Sequence, residues 1–465
     1  WDAIVVGGGH NGLVAAAYLA RARWRVLVLE RLGQPGGAAT SAAPFAGRSE
    51  RLSRYAYLVS PFPQRILRDL GVEVELRRRP VAGYAPPGLL LEGHEFGSEL
   101  ERLFPTLLEP LPDRAAAREL LGPEIWNALI ERPLGEALRD RFDDGLMRGV
   151  VSSDGLIGTF THVDDPSLRQ NRCFLWHLVG GPWRVPVGGM GALSGALAAA
   201  AARAGARIRC GAEAVRIDGG EVTWIEDGGE HSADGRFVLA GVAPAELARL
   251  RGSDVPATAE GSQTKVNLVL ERLPRLRHDI APEDAFGGTF RLNEHEDHLA
   301  AAYEDAAAGR LPRSAPAEIY CHTLTDPSIA PSGAHTLTIF GLHTPASLFR
   351  GDNEAAAATM RDRYLDALDE HLEEPIRSCI ALDAGGAPCI EVKTPVDLER
   401  ELRMPAGNIF HGGLEWPWAE DAAEAGRWGV ETDDPNILIC GAGARRGGCV
   451  SGIGGHNAAM ALLRR

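Results

Sequence analysis

The sequence predicts an α/β fold in which a parallel sheet flanked by helices is joined to a second, α+β domain. Three observations predict it. The chain opens with a short β-branched run, Ile4-Val5-Val6, followed by Gly7-x-Gly9-x-x-Gly12, an alanine-rich helix and a second apolar run that ends in Glu30. Near its end a buried-type strand, Asn436-Ile437-Leu438-Ile439, again runs into glycines. At 465 residues the chain exceeds one ordinary core, so two domains are expected.

Each part of the opening unit has a physical reason. A β-branched run with no polar alternation suits a strand buried on both faces of a parallel sheet. Of the glycines, Gly7 allows the tight turn, Gly9 admits a pyrophosphate to the backbone, and Gly12 lets helix and strand lie close. The helix N-terminus, through His10 and Asn11, offers free N–H groups to phosphates. Leu13, Ala16, Ala17 and Ala20 recur at helical spacing and give a small face for the sheet. Glu30, followed by Arg31, stands where a carboxylate takes the ribose hydroxyls of an adenosine.

A second glycine pair follows, Gly36-Gly37-Ala38-Ala39-Thr40. With the first motif it resembles the FAD-binding start of the phytoene desaturase, amine oxidase and retinol saturase group of flavoproteins. Together with Tyr55-Ala56-Tyr57-Leu58 it is most similar to the branch of pyridine nucleotide-disulfide oxidoreductase domain-containing protein 2. Many of the group have arginine where this chain has Ala38, and the alanine fits that branch. The resemblance implies FAD as cofactor, held in a discontinuous Rossmann-like domain beside an α+β substrate domain with a mixed sheet and a helical part.

Composition narrows the partners. Apolar residues make up 45% and charged residues 24%, as in a globular protein. The formal net charge of −15 argues against nucleic acid and anionic membrane surfaces. Only Lys265 and Lys393 are lysines; every other basic residue that is not histidine is arginine. The seven cysteines include no CxxC pair, a reducing-compartment pattern without the redox couple of a disulfide reductase. Metal-ligand spacings and apolar runs long enough to span a membrane are absent, so a cytoplasmic protein with no metal and no integral membrane segment is expected. The sequence opens at Trp1, already at the first strand and without an initiator methionine, so a few residues are expected to precede it.

Along the chain, residues 1–79 form the first part of the FAD domain, with a proline-started helix over 61–71 and a strand over 72–79. Residues 80–183 enter the substrate domain: 80–112 is broken by prolines and glycines, and 113–147 reads as helical with a break at Pro133. Residues 184–252 return to the FAD domain through Val187-Gly188-Gly189-Met190-Gly191, a helix over 193–204, strands over 207–210 and 213–217, and a hairpin over 221–238. The resemblance implies that the 213–217 strand lays its backbone on the adenine, at Val215. Residues 253–404 form the larger part of the substrate domain, with strands near 266–270, 317–321 and 336–340. A helix over 353–372 turns Met360, Tyr364, Leu365 and Leu368 to the core.

Residues 405–465 close the FAD domain. Here Gly441-Ala442-Gly443 and Gly452-Ile453-Gly454 resemble the family's flavin-end loops. Such glycines and a helix N-terminus bring N–H groups to the edge of a flavin where charge gathers on reduction. Arg445 and Arg446 follow, where amine oxidases often carry an acid. Either could meet an anionic substrate or stand in a solvated loop. Candidate proton carriers are His411 first, then His177, His322 and Glu415, with Trp416 and Trp418 as chamber walls. The expected function is an FAD-dependent oxidoreductase that desaturates, oxidises or saturates a small organic metabolite by hydride transfer with flavin N5. Oxygen, a quinone or NAD(P)H would be its electron partner. An oxygen-using amine oxidase-like enzyme and a non-catalytic binding protein on the same scaffold are the alternatives.

Overall fold

The computed structural model describes residues 1–93 and 96–464. Its first sheet has five parallel strands in the order Ile437–Ile439, Phe237–Ala240, Ala3–Val6, Val26–Glu30, Arg207–Cys210. Side chains alternate across it. Ala3, Val5, Val26 and Val28 join one core with the helices His10–Arg21, Met190–Arg203 and Ile453–Leu463. Ile4, Val6, Leu27 and Leu29 face the other way, onto Ile217, Val222 and Trp224 of a three-stranded antiparallel meander and onto Leu247 and Leu250 of the helix Pro244–Arg251. Strand residues apolar on both faces are therefore what this sheet requires.

The second sheet has seven strands in the order Ile390–Lys393, Thr264–Leu270, His335–Gly341, Ala317–Cys321, Thr289–Leu292, Gly83–Ala85, Leu89–Leu91. Only the Thr289–Leu292 pairing with Gly83–Ala85 is parallel, so the sheet is mixed. The helix Asn353–Asp369 covers it with Met360, Tyr364, Leu365 and Leu368. Four helices between Arg114 and Ser153, with Arg169–Leu178, form the helical part and share a core with the first domain through Trp126, Phe174 and Trp176.

Local details depart from the sequence reading. The strand expected over 72–79 is limited to Leu76–Arg78, paired antiparallel with Arg184–Pro186. The segment read as a broken entry contributes two strands to the seven-stranded sheet. The expected hairpin is instead the last two strands of the meander, Glu221–Glu226 and Gly229–Asp234. Phe237–Ala240 leaves it to run beside Ala3–Val6. Gly235 permits the crossing, because a Cβ there would meet Ile4 Cγ1 at 2.9 Å.

Candidate functional site

One cavity runs along the carboxyl ends of the first sheet and under the second. Gly7, Gly9, His10, Asn11 and Gly12 line it at the turn after the first strand, and Glu30 and Arg31 at the end of the second. Gly7 has φ +100, and a Cβ on Gly12 would sit 2.2 Å from Gly7 O, so this turn tolerates no side chain. A Cβ on Gly9 meets nothing within 4 Å. The backbone there faces open space, and the helix His10–Arg21 begins with no side-chain cap on its first N–H groups.

Glu30 is buried, with Oε2 accepting Gly8 N–H and Oε1 accepting Leu32 N–H, each at 2.8 Å. Burial raises its pKa against those two bonds. Three buried polar atoms on cavity-lining residues have no partner: His10 Nε2, Asn11 Oδ1 and His411 Nδ1. A phosphate-accepting turn, a carboxylate one strand away and unpartnered polar atoms fit an elongated dinucleotide.

The other end of the cavity is aromatic. Tyr57, Trp176, Trp183, Tyr320 and Phe340 line it. The Tyr57 ring lies 5.0 Å from Tyr320 and 5.5 Å from Phe340. The His177 ring lies tilted against Trp183, centroids 4.5 Å apart, with its Nε2 3.5 Å from Asp154. Lys265 enters from the strand Thr264–Leu270, 3% exposed, donating to the carbonyls of Ser53 and Tyr55, with Nζ 4.8 Å from the Tyr57 ring centroid. Burial pushes its ammonium down to about 7. His411, in a left-handed conformation with φ 64, and His10 are both held down to about 4 by burial, so both are neutral imidazoles.

Of the residues read from the sequence, the cavity wall receives Gly7, Gly9, His10, Asn11, Gly12, Glu30, Arg31, Gly37, Ala38, Gly441, Ala442, His177 and His411. Gly36, Ala39, Thr40, Gly443, Gly452, Ile453 and Gly454 stand behind it. Gly36 N–H bonds Gly8 O at 2.8 Å, and Ala39 and Ile453 are wholly buried. Thr40 turns its hydroxyl to Gly37 O, Gly443 packs on Pro244, Gly452 on Phe62, and Gly454 on Gly441 O. These residues shape the loops while their neighbours Val450 and Cys449 reach the cavity.

Seven of the expected residues are corrected. Val215 is 36% exposed and off the wall: the strand bulges between Ala214 and Arg216, which turns Ala214 to the cavity in its place. Trp416 and Trp418 stack on each other at 5.0 Å, and Trp418 packs on Trp126 in the helical core. Arg446 is 1% exposed and donates to the carbonyls of Thr106, Glu109 and Trp428, tying loops together. Arg445 bonds Trp418 O, Glu424 and Glu415, which also takes Glu415 away from the site. His322 is buried behind Tyr57, ring centroids 5.9 Å apart, and is not among the lining residues.

Sequence reasoning missed Lys265, Tyr57, Trp176, Trp183, Tyr320 and Phe340. One signal was available: both lysines of a chain that otherwise uses arginine line this cavity.

The NAD(P)-binding Rossmann-like domain model matches residues 5–70. An uncharacterized protein of Mycobacterium tuberculosis is 50% identical over 100% of this chain and 97% of its own length. Pyridine nucleotide-disulfide oxidoreductase domain-containing protein 2 of Mus musculus is 29% identical over 100% of this chain and 93% of its own. The chain belongs to one family with that mycobacterial protein. The fold of this chain is shared with cyclohexylamine oxidase from Brevibacterium oxydans, at TM-score 0.57, 16% identity and coverage of 100% and 99% of the two chains. A putrescine oxidase variant matches at TM-score 0.58 and 16% identity, with the same coverage. No described helix is long and apolar enough to cross a membrane.

Proposed function

We propose that this oxidoreductase desaturates, oxidises or saturates a small organic metabolite by moving a hydride between a substrate carbon and flavin N5. The observation that carries the reading is the single cavity, which joins a nucleotide-binding turn to an aromatic chamber with few polar groups. Bound FAD supplies the two-electron chemistry. The chain binds and orients. The Gly7–Gly12 turn and helix N-terminus would take the pyrophosphate, Glu30 the adenosine ribose, the backbone at Ala214 the adenine, and the Gly441-Ala442 loop the flavin end. Tyr57, Trp176, Trp183 and Phe340 would exclude water and clamp a flat or apolar substrate. His411 is a neutral imidazole with a free Nδ1, able to accept a hydrogen bond there. Lys265 Nζ can hold or release a proton near neutrality.

Oxygen, a quinone or NAD(P)H completes the cycle, and the seven free cysteines suit a reducing, cytoplasmic setting. Anaerobic titration of the yellow holoprotein with NADH and NADPH decides direction. Rapid bleaching means electrons enter from nicotinamide and the substrate is reduced. Persistent colour means the substrate is the donor. The aromatic walls also suit an oxygen-using amine oxidase-like enzyme. Peroxide release on cyclohexylamine or putrescine would favour that second reading.

A further inference from the structure

The polar groups of the cavity are divided by sign. Its lining carboxylates are Glu30, Glu213 and Glu246. All three belong to the nucleotide end: Glu30 closes the second strand, Glu213 opens the meander, and Glu246 stands on the helix whose Leu247 and Leu250 pack beneath the first sheet. The titratable side chains lining the aromatic end, tyrosines and cysteines aside, are His177, His411, His10, Lys265 and Lys393. His10 and His411 are neutral, His177 lies 3.5 Å from Asp154 and Lys393 is paired with Glu401, which leaves Lys265 as the cation that faces the rings of Tyr57 and Phe340 without an ion pair to a described carboxylate.

The lysine is built in and uncompensated. It sits in register with Lys393 on the next strand, and Lys393 Nζ is bound by both oxygens of Glu401, at 2.7 and 2.8 Å. Lys265 forms no ion pair with a described carboxylate: its two hydrogen bonds go to carbonyls, and its third N–H has no described acceptor. Glu391, the nearby acid, is held by Arg54 and Asn267. A buried ammonium with a free donor, beside flat rings and in no ion pair with a described carboxylate, is an anion receptor awaiting its anion.

We propose that Lys265 Nζ binds the anionic group of the substrate, so that this enzyme acts on a flat or apolar carboxylate or comparable organic acid rather than on an amine. The inference rests on the flavoenzyme reading above and adds the substrate class. A cationic amine would meet Lys265 with no carboxylate to offset it. An acid would supply the missing counter-charge, and the aromatic walls would hold its carbon skeleton.

The test titrates benzoate and benzylamine into the yellow holoprotein, following flavin absorbance and heat, at pH values on either side of about 7. Binding of an anion needs the ammonium. Below about 7 the benzoate Kd is expected to be flat, and above it to rise by about tenfold per pH unit. The groups around Lys265 are Lys393 with Glu401, Glu391 with Arg54, and His322; of these only His322 titrates near this range when unperturbed, and burial holds it down to about 3. Lys265→Met is expected to weaken benzoate more than about tenfold at constant flavin content. Lys265→Arg is expected to retain binding but lose the break near 7, because a guanidinium stays charged. If either variant fails to fold, the pH dependence of the native protein still decides.

Absence of benzoate binding at millimolar concentration, benzylamine binding more tightly, or a Kd independent of pH across 7 overturns the proposal. A purified protein with no flavin would instead remove the reading beneath it.

Discussion

Glu30 brings a buried carboxylate to the cavity with both oxygens already engaged by Gly8 and Leu32 N–H groups. It braces the turn and presents charge at the nucleotide end together. Glu30→Ala is expected to raise the Kd for FAD by about ten- to a hundredfold, the effect of losing hydrogen bonds to a charged group. Fluorescence titration of flavin-free protein measures it, and an unchanged Kd would leave Glu30 only a brace. The buried histidines set a different residue-scale behaviour. His10 and His411 are held to about 4, and His322 and His343 to about 3, all by burial. An unfolded imidazole titrates near about 6.5. Between 6.5 and these lowered values the unfolded chain binds more protons, so stability falls as pH falls through that window; above it these groups contribute no pH dependence. A fully buried imidazole contributes at most about 3 to 5 kcal/mol of this acid loss. His343→Asn removes one such group and accepts the left-handed φ of 54. Its unfolding free energy in urea is expected to depend less steeply on pH between about 6.5 and 4 than that of the native chain.

At the scale of elements, the first and last helices packed on the five-stranded sheet are fitted to each other by missing side chains. A Cβ on Gly455 would lie 2.0 Å from Asn11 O, so helix Ile453–Leu463 touches the backbone of helix His10–Arg21 where the cavity begins. Gly455→Ala is expected to cost about 1–3 kcal/mol in urea unfolding and to weaken FAD binding by shifting the phosphate-facing helix end. Arg446→Met, in contrast, strips three carbonyls of their donor, that of Trp428 buried and those of Thr106 and Glu109 half-buried. It is expected to cost about 3 kcal/mol or more while leaving FAD affinity nearly unchanged. This contrast also explains what could be read in advance. The opening unit was legible because strand, turn and helix are set by residues within a few positions of each other. Arg445, Arg446, Trp416 and Trp418 were assigned by nearness in sequence to a glycine loop, while partners of Arg446 and Trp418, among them Thr106, Glu109 and Trp126, lie hundreds of residues away. Val215 missed by one because a bulge changes which residue faces inward, and strand periodicity carries no mark of a bulge. Lys265 carried a compositional signal whose meaning appeared only when its strand was seen beside Tyr57 and Lys393.

Across the whole molecule, the cavity wall draws on both sheets and the helical part. Gly9, Glu30, Gly241 and Ala442 belong to the first domain, Lys265, Phe340 and Lys393 to the seven-stranded sheet, and Trp176 and His177 to the helical part. A molecule filling that cavity touches each body and stabilises their association as well as each alone. At a thousandfold excess over its Kd such a ligand adds about 4 kcal/mol to the folded state. Flavin-free protein is therefore expected to melt at least about 5 °C below the holoprotein. ADP, which matches only the nucleotide end, is expected to recover part of the difference, since it touches Glu30 and the Gly7–Gly12 turn but leaves the aromatic end empty. Benzoate added to ADP-bound, flavin-free protein then raises the melting temperature further below pH 7 than above it, because Lys265 must be charged to hold it. Calorimetric scans of these four states measure the two ends separately. Identical melting of flavin-free and holoprotein would mean that the cavity's walls are held together without the cofactor.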